Sequence, residues 1–270
     1  MKKSTGFAVL CALAAAFALA GCKKAEAVSD NSLEALKERG VFVLGLDDSL
    51  PPLGFRDEDN AIVGYDIDLA KEVASRLGVE FQAQPIDWDA KEMELATGKI
   101  DCIWNGLTMT PEREAALAFT KAYLDNEQVL VVRAESGIEN LSDMADKRLG
   151  VQSGSSAQDA VNANAAFVDS LKEIIFFKDN LTALNDLLVG GIDGVVMDSV
   201  VAAYDIAQSG KPLVTVAEPL AKEKYGIAFR KDNIKLRDEV QALLEQMAAD
   251  GTVSAIAEHW FGRDISVIGK

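Results

Sequence analysis

The sequence predicts an α/β protein built as two lobes, and three observations carry that expectation. Short apolar, β-like runs alternate with helix-like segments along almost the whole chain, a pattern that implies βα units and mostly parallel sheets. A nine-residue pattern recurs at an offset of 92: Thr97-Gly98-Lys99-Ile100-Asp101-Cys102-Ile103-Trp104-Asn105 aligns with Val189-Gly190-Gly191-Ile192-Asp193-Gly194-Val195-Val196-Met197. Each copy reads as a helix end, a Gly stop, Ile-Asp and a buried strand, so the two halves share a local topology. Finally, roughly 240 residues follow the N-terminal segment, which suits one large domain or two small ones.

The N-terminal segment sets the address. Lys2 and Lys3 precede an apolar run over 7–20, the layout of an export signal and shorter than the roughly 20 residues that span a bilayer. Leu19-Ala20-Gly21-Cys22 follows, then Lys23, Lys24 and a polar tether to about residue 31. Small residues before a cysteine resemble the lipobox of bacterial lipoproteins. That resemblance implies a signal peptide over 1–21, cleavage before Cys22, a diacylated, palmitate-type N-terminus there and a lipidated tether over 22–31. Several acyl chains on one residue give stable anchoring. An ordinary secretory signal that happens to contain a cysteine is the plainer reading.

Beyond the tether the elements follow in order. An apolar strand is expected at 41–44. Over 66–77, Ile67, Ala70, Val73, Ala74 and Leu77 share one helical face, and Gly78 stops the helix. A strand over 79–84, a helix over 89–97 and a strand over 100–105 come next. Further strands are expected near 129–132, 149–151, 174–177, 195–197 and 213–216, with helices between them.

Composition narrows the function. Removing 1–21 takes away two lysines and no acid, leaving 25 basic against 43 acidic residues, a net charge of −18. A body this acidic argues against nucleic acid, which requires clustered Lys and Arg. Cys11 leaves with the signal and Cys22 is the anchor, so Cys102 stands alone as a buried thiol. The single histidine, His259, lies far along the chain from every candidate segment. A histidine-activated nucleophile and a multi-histidine metal site are therefore not expected, and no cofactor is implied. No phosphate-binding Gly-x-x-x-x-Gly-Lys loop is present, so any ATPase would be a separate subunit.

Ligands in open α/β sheets sit beyond the carboxyl ends of strands, which points to 105–113 in one lobe and Asp198 in the other. Pro111 suits the first position of a helix capped by Thr110. Thr108, backbone N–H groups and Arg113 would then face an anion, and Arg grips a carboxylate with two parallel bonds. Gln152-Ser153-Gly154-Ser155-Ser156 opens another donor-rich helix. Asp198 ends a buried strand and can accept from an ammonium. Plainer readings stand beside these: Arg113 as a helix-surface charge, Asp198 as a cap, Ser155 and Ser156 as caps, Trp88 and Trp104 as core.

The segment Gly64-Tyr65-Asp66-Ile67-Asp68-Leu69-Ala70 resembles the signature of family 3 extracellular solute-binding proteins, the amino-acid-binding components of ABC importers. The resemblance runs from about Val41 to Phe261. It implies a type II periplasmic-binding-protein-like fold, with lobe 1 formed by 32–126 and 218–270 and lobe 2 by 127–217. Two hinge strands are then expected to cross near 126–129 and 214–218. Carried over by position, Arg113 would hold an α-carboxylate with Thr108 and the Ser156 backbone. Asp198 and the Gly106 carbonyl would take an α-ammonium. Leu50 and Trp88 flank the ligand side chain, whose polar end Asp47, Asp48 or Gln152 would meet; Asn105 and Ser155 complete the set. Departures concern the side-chain pocket: many relatives have an aromatic at Leu50, serines at Asn105 and Gly106, and a longer polar residue at Ala157. Asp66 and Asp68 suit the dipole of a helix N-terminus. The resemblance implies a monomer that captures a free L-amino acid, polar or cationic, and passes it to membrane permease subunits. Two alternatives are a cyclohexadienyl dehydratase-like enzyme on the same scaffold and a sensor domain, which would require a C-terminal membrane helix.

Overall fold

A computed structural model describes residues 30–270; the signal segment, Cys22 and the tether up to residue 29 lie outside the described residues. In chain order the elements are α1 (Ser32–Arg39), β1 (Val41–Leu46), β2 (Ser49–Leu50), β3 (Gly54–Arg56), β4 (Ile62–Val63), α2 (Tyr65–Leu77), β5 (Glu80–Pro85) and α3 (Lys91–Ala96). Next come β6 (Cys102–Ile103), α4 (Pro111–Ala116), β7 (Leu117–Phe119), β8 (Leu124–Arg133), β9 (Arg148–Gln152), α5 (Ser156–Ala163), α6 (Ala165–Ser170), β10 (Glu173–Phe177) and α7 (Asn180–Val189). The chain closes with β11 (Gly194–Asp198), α8 (Ser199–Ser209), β12 (Leu213–Thr215), β13 (Ala221–Tyr225), β14 (Ala228–Arg230), α9 (Ile234–Ala249) and α10 (Thr252–Phe261).

Two sheets define the two lobes. One has the order β5-β1-β6-β14-β7, and the other β10-β9-β11-β8-β12 with β13 also paired to β8. Each is mixed rather than mostly parallel as expected. The βα-connected strands β5, β1 and β6, and β10, β9 and β11, run parallel. The strands at and next to the crossings enter antiparallel: β8 against β11, and β14, which follows the return strand, against β6 and β7. A long strand that leaves one sheet and an adjacent strand that returns must oppose their neighbours, and alternation of apolar runs does not encode this.

The link itself is an antiparallel ladder of β8 and β13, with Gln128 opposite Ala221 and Leu124 opposite Tyr225. The first crossing lies inside β8, where it was expected. The second is displaced from 214–218: Leu213–Thr215 forms an edge strand on β8, and the return is made by Ala221–Tyr225. The apolar Leu-Val-Thr run reads as the stronger strand. The alternating Ala-Lys-Glu-Lys-Tyr run pairs just as regularly but reads as polar surface.

The helix over 66–77 forms as expected. Ile67, Ala70, Val73, Ala74 and Leu77 are buried, and Gly78 ends the helix at φ 74°, a left-handed conformation that glycine adopts without steric cost. The 92-residue repeat is visible in three dimensions. Asp101 accepts from the Val43 N–H (2.8 Å), and Asp193 accepts from the Arg148 N–H (2.9 Å). Arg230 donates to the Leu95 and Ile100 carbonyls, and Arg133 to the Leu187 and Ile192 carbonyls. Each lobe thus fastens a helix end to the following strand by the same device. Cys102 is buried and free, and no helix of the described residues is long and apolar enough to cross a membrane.

Candidate functional site

The floor of the site is built by the Gly-Tyr-Asp run. A Cβ on Gly64 (φ 141°) would lie 2.3 Å from the Leu53 carbonyl, so only glycine allows α2 to start against that turn. Tyr65 is buried against Tyr123 and Phe261. The fully buried Asp66 accepts from the Gly106 N–H (3.0 Å) and the Tyr123 hydroxyl (2.9 Å), and Asp68 accepts from the Trp260 indole (2.9 Å). Burial pushes the Asp66 carboxyl up to about 7, against the pull of those hydrogen bonds. The expected structural role of Asp66 and Asp68 holds, and it extends further: Asp66 fixes the left-handed turn at Gly106 (φ 61°).

Helix α4 aims Arg113. Thr110 is its N-cap, its hydroxyl accepting from the Arg113 N–H (3.2 Å), and Pro111 sits at the first helical position. The guanidinium donates to the Thr108 carbonyl (3.2 Å) in its own lobe and to the Gly154 carbonyl (3.3 Å) in the other. Arg113 is therefore not a free surface charge. In the second lobe Ser155 caps α5, and Ser156 Oγ lies 3.0 Å from Thr108 Oγ1 across the cleft.

Asp198 occupies the N-cap position of α8 but makes no side-chain capping bond. Its Oδ1 instead accepts from Asn126 (2.7 Å), Gln128 (2.7 Å) and the Tyr225 hydroxyl. That geometry removes the cap-only reading. Burial first, and the Glu223 carboxylate second, push Asp198 up to about 6. At the opposite end Asp47 accepts from the Ser49 N–H (3.0 Å), the Ser49 hydroxyl (2.6 Å) and, across the cleft, the Gln152 amide (2.7 Å). Burial raises its pKa in spite of those bonds.

A tightly closed cavity of about 10 Å³ between the lobes is lined by Asp47, Leu50, Trp88, Asn105, Gly106, Thr108, Arg113, Gln152, Ser155, Ser156 and Asp198. Eleven of the twelve residues named in the sequence as candidate ligand contacts meet there. Asp48 does not: it pairs with Arg56 (2.6 Å) outside the cavity. Trp88 serves both readings, since it lines the cavity and packs with Leu95, Ile100 and Leu107. Trp104 is fully buried core. Among the described residues no group of three or more His, Cys, Asp or Glu could hold a metal ion.

Two site-proximal residues had no signal in the sequence. Glu223, on β13, accepts from Thr108 (2.8 Å), Gln128 (3.0 Å), Asn126 (3.2 Å) and Ser156 (3.2 Å). Lys91 is 2% exposed and donates to the Trp88 carbonyl (3.1 Å) and, across the cleft, to the Gly154 carbonyl (2.8 Å). Charged residues in polar surroundings read as solvated surface unless the tertiary contact is known.

Comparison with known proteins agrees with this architecture. Residues 42–263 match the family model described as bacterial extracellular solute-binding proteins, family 3. The L-cystine-binding protein TcyJ of Escherichia coli K12 is 30% identical over 250 residues, covering 92% of each chain. Among solved structures, Tv2483 bound to L-arginine superposes with a TM-score of 0.86 at 29% identity, covering 90% of this chain and 99% of that one. An ABC uptake transporter substrate-binding protein of Streptococcus pneumoniae with bound histidine gives a TM-score of 0.84 at 34% identity, covering 88% and 99%.

Proposed function

The chain belongs to the bacterial extracellular solute-binding proteins of family 3, and on that premise we propose that its cleft captures a free L-amino acid, without chemical change, for an ABC importer. The observation that carries this reading is the placement of Arg113 and Asp198, from opposite lobes, on one cavity. An α-carboxylate and an α-ammonium require a forked cation and a fixed anion at two ends of one space, and these two residues supply them. The third end, where Asp47 and Gln152 meet beside Leu50 and Trp88, favours a polar or cationic side chain. A desolvated carboxylate rewards a hydrogen-bond donor, and an indole face accepts a guanidinium or an aliphatic stem. Relatives that carry arginine, histidine and cystine in their names fit that preference. Cys22, with the small residues before it, supports a lipid anchor that tethers the binding body outside the cytoplasm, with permease subunits as its membrane partners.

A thermal-shift screen of the twenty amino acids and cystine tests the reading, because a ligand that binds only the folded state raises the melting temperature. The expected result is a shift with one or a few polar or cationic L-amino acids. Arg113→Ala should weaken calorimetric affinity for that amino acid by at least about a hundredfold, the scale of a lost charge-assisted pair. Near-native affinity in Arg113→Ala, or no shift with any amino acid, would refute it.

A further inference from the structure

We propose that Tyr225 is a positioning residue for ligand capture: its hydroxyl holds Asp198 by one carboxylate oxygen and leaves the other for the ligand's amino group. The inference rests on the amino-acid reading of the cavity. Its basis is an asymmetry within Asp198. Among the described residues, Asn126 Nδ2 (2.7 Å), Gln128 Nε2 (2.7 Å) and the Tyr225 hydroxyl (2.5 Å) all donate to Oδ1, and no donor reaches Oδ2. Asp198 lines the cavity, so the oxygen without a protein donor is the one open to an ammonium. Three donors converging on Oδ1 pin the carboxyl group in place.

The three donors are not equivalent. The two amides are shared: Asn126 Nδ2 also lies 3.2 Å from Glu223, and Gln128 Nε2 lies 3.0 Å from Glu223 and 3.3 Å from Ser156. A phenol has a single O–H, and that of Tyr225 is directed at Asp198 alone. Its ring is fixed independently of the acid. Tyr225 is fully buried, ends β13 opposite Leu124, and accepts at its carbonyl from the Tyr123 N–H (2.9 Å). The Tyr123 and Tyr225 ring centroids are 6.2 Å apart, and a Cβ on Gly106 would lie 3.3 Å from the Tyr225 ring. Packing against Gly106 and Tyr123 of one lobe thus delivers the hydroxyl to an acid that ends a strand of the other. Burial first, and the Asp198 charge second, hold the Tyr225 phenol well above the usual tyrosine range, so it stays a donor.

A hydrogen bond to an ionised carboxylate favours that form, which gives the role of Tyr225 a signature in pH. Burial and then Glu223 push Asp198 up to about 6, while Tyr225, Gln128 and Asn126 pull it down. Around Asp198, Arg113 and Asp47 line the same cavity, Tyr123 stands behind Tyr225, and Glu223 lines a separate outer groove with the exposed Lys222 and Lys224. Tyr225→Phe leaves all of these in place, keeps the ring and removes only the donor; a thermal melt checks that it folds. The probe is the amino acid that gives the largest thermal shift in the screen of the twenty amino acids and cystine. In calorimetry at pH 8 the variant should bind about tenfold more weakly than the wild type, the scale of a lost hydrogen bond to a charged group. Wild-type affinity should fall by up to about tenfold per unit as pH drops through the Asp198 titration. In Tyr225→Phe that fall should begin at higher pH, its midpoint raised by about one unit, so the deficit widens severalfold between pH 8 and pH 6. Unchanged affinity in Tyr225→Phe overturns the proposal. Weaker binding with an unmoved midpoint also overturns it, because Tyr225 would then act through packing at the hinge and not through Asp198. A wild type that binds no amino acid overturns the amino-acid reading and this proposal with it, whereas the other two results leave that reading standing.

Discussion

Asp66 shows how one side chain joins stability to the site. It accepts two hydrogen bonds on one oxygen while being fully buried, and burial wins, leaving its carboxyl at about 7. An unfolded aspartate titrates near about 4, so the folded state holds this proton more tightly than the unfolded state. Its stabilising contribution is complete below about pH 4 and is lost as pH rises through about 7. Urea midpoints measured at pH 5 and pH 8 should therefore fall with rising pH in the wild type, and fall less in Asp66→Asn, whose neutral amide can still accept from Gly106 and Tyr123. Asp198 biases both proteins in the same direction, so the difference between slopes isolates Asp66. Equal slopes would mean that Asp66 stays ionised in the fold. From the sequence, Asp66 reads only as a dipole partner for α2, because the Tyr123 hydroxyl that meets it lies 57 residues along the chain.

At the scale of elements, legibility followed locality. The Thr110-Pro111 start of α4, the Gly78 stop of α2 and the Ser155 opening of α5 are each set by neighbours a few residues apart. The sequence carries those cues in order, and so Arg113, Ser156 and Asp198 could be placed before any coordinates. Lys91 and Glu223 could not be, because their partners are contributed by other elements across the cleft and the hinge. The turn before α5 illustrates the limit: Gly154 reads as a flexible residue in a donor-rich loop, yet it is where the lobes touch. Its φ is +67°, and a Cβ there would lie 2.7 Å from Asp89 Oδ1 and 3.1 Å from Asp89 Cα in the opposite lobe. The Cα cannot swing aside as a flexible side chain would. Gly154→Ala should thus cost roughly 1–2 kcal/mol in the turn itself and hold the lobes apart as well. Calorimetric affinity should fall by about tenfold or more, while far-UV circular dichroism stays native. A variant with native affinity would show that the Asp89–Gly154 approach is absent from the bound form.

For the whole molecule, the relevant quantity is the balance between open and closed arrangements of the lobes. Protein groups alone already bridge them: Gln152 to Asp47, Ser156 to Thr108, and both Arg113 and Lys91 to the Gly154 carbonyl. A ligand that touches both lobes shifts this balance by its differential affinity for the closed state. Lys91 separates closure from ligand contact, since its ammonium bridges the lobes without lining the cavity. Burial, and then the Arg113 charge, lower its pKa, yet its two carbonyl partners and the Trp88 ring 5.1 Å away hold it in place. Lys91→Met keeps the apolar stem and removes the bridge. Small-angle scattering of the variant without ligand should give a larger radius of gyration than the wild type, and a saturating amino acid should bring the two radii together. Affinity should fall several-fold, because the ligand must then also supply the free energy of closure. Unchanged affinity with an unchanged radius would place Lys91 outside the closing equilibrium and leave the hinge and the ligand to set it alone.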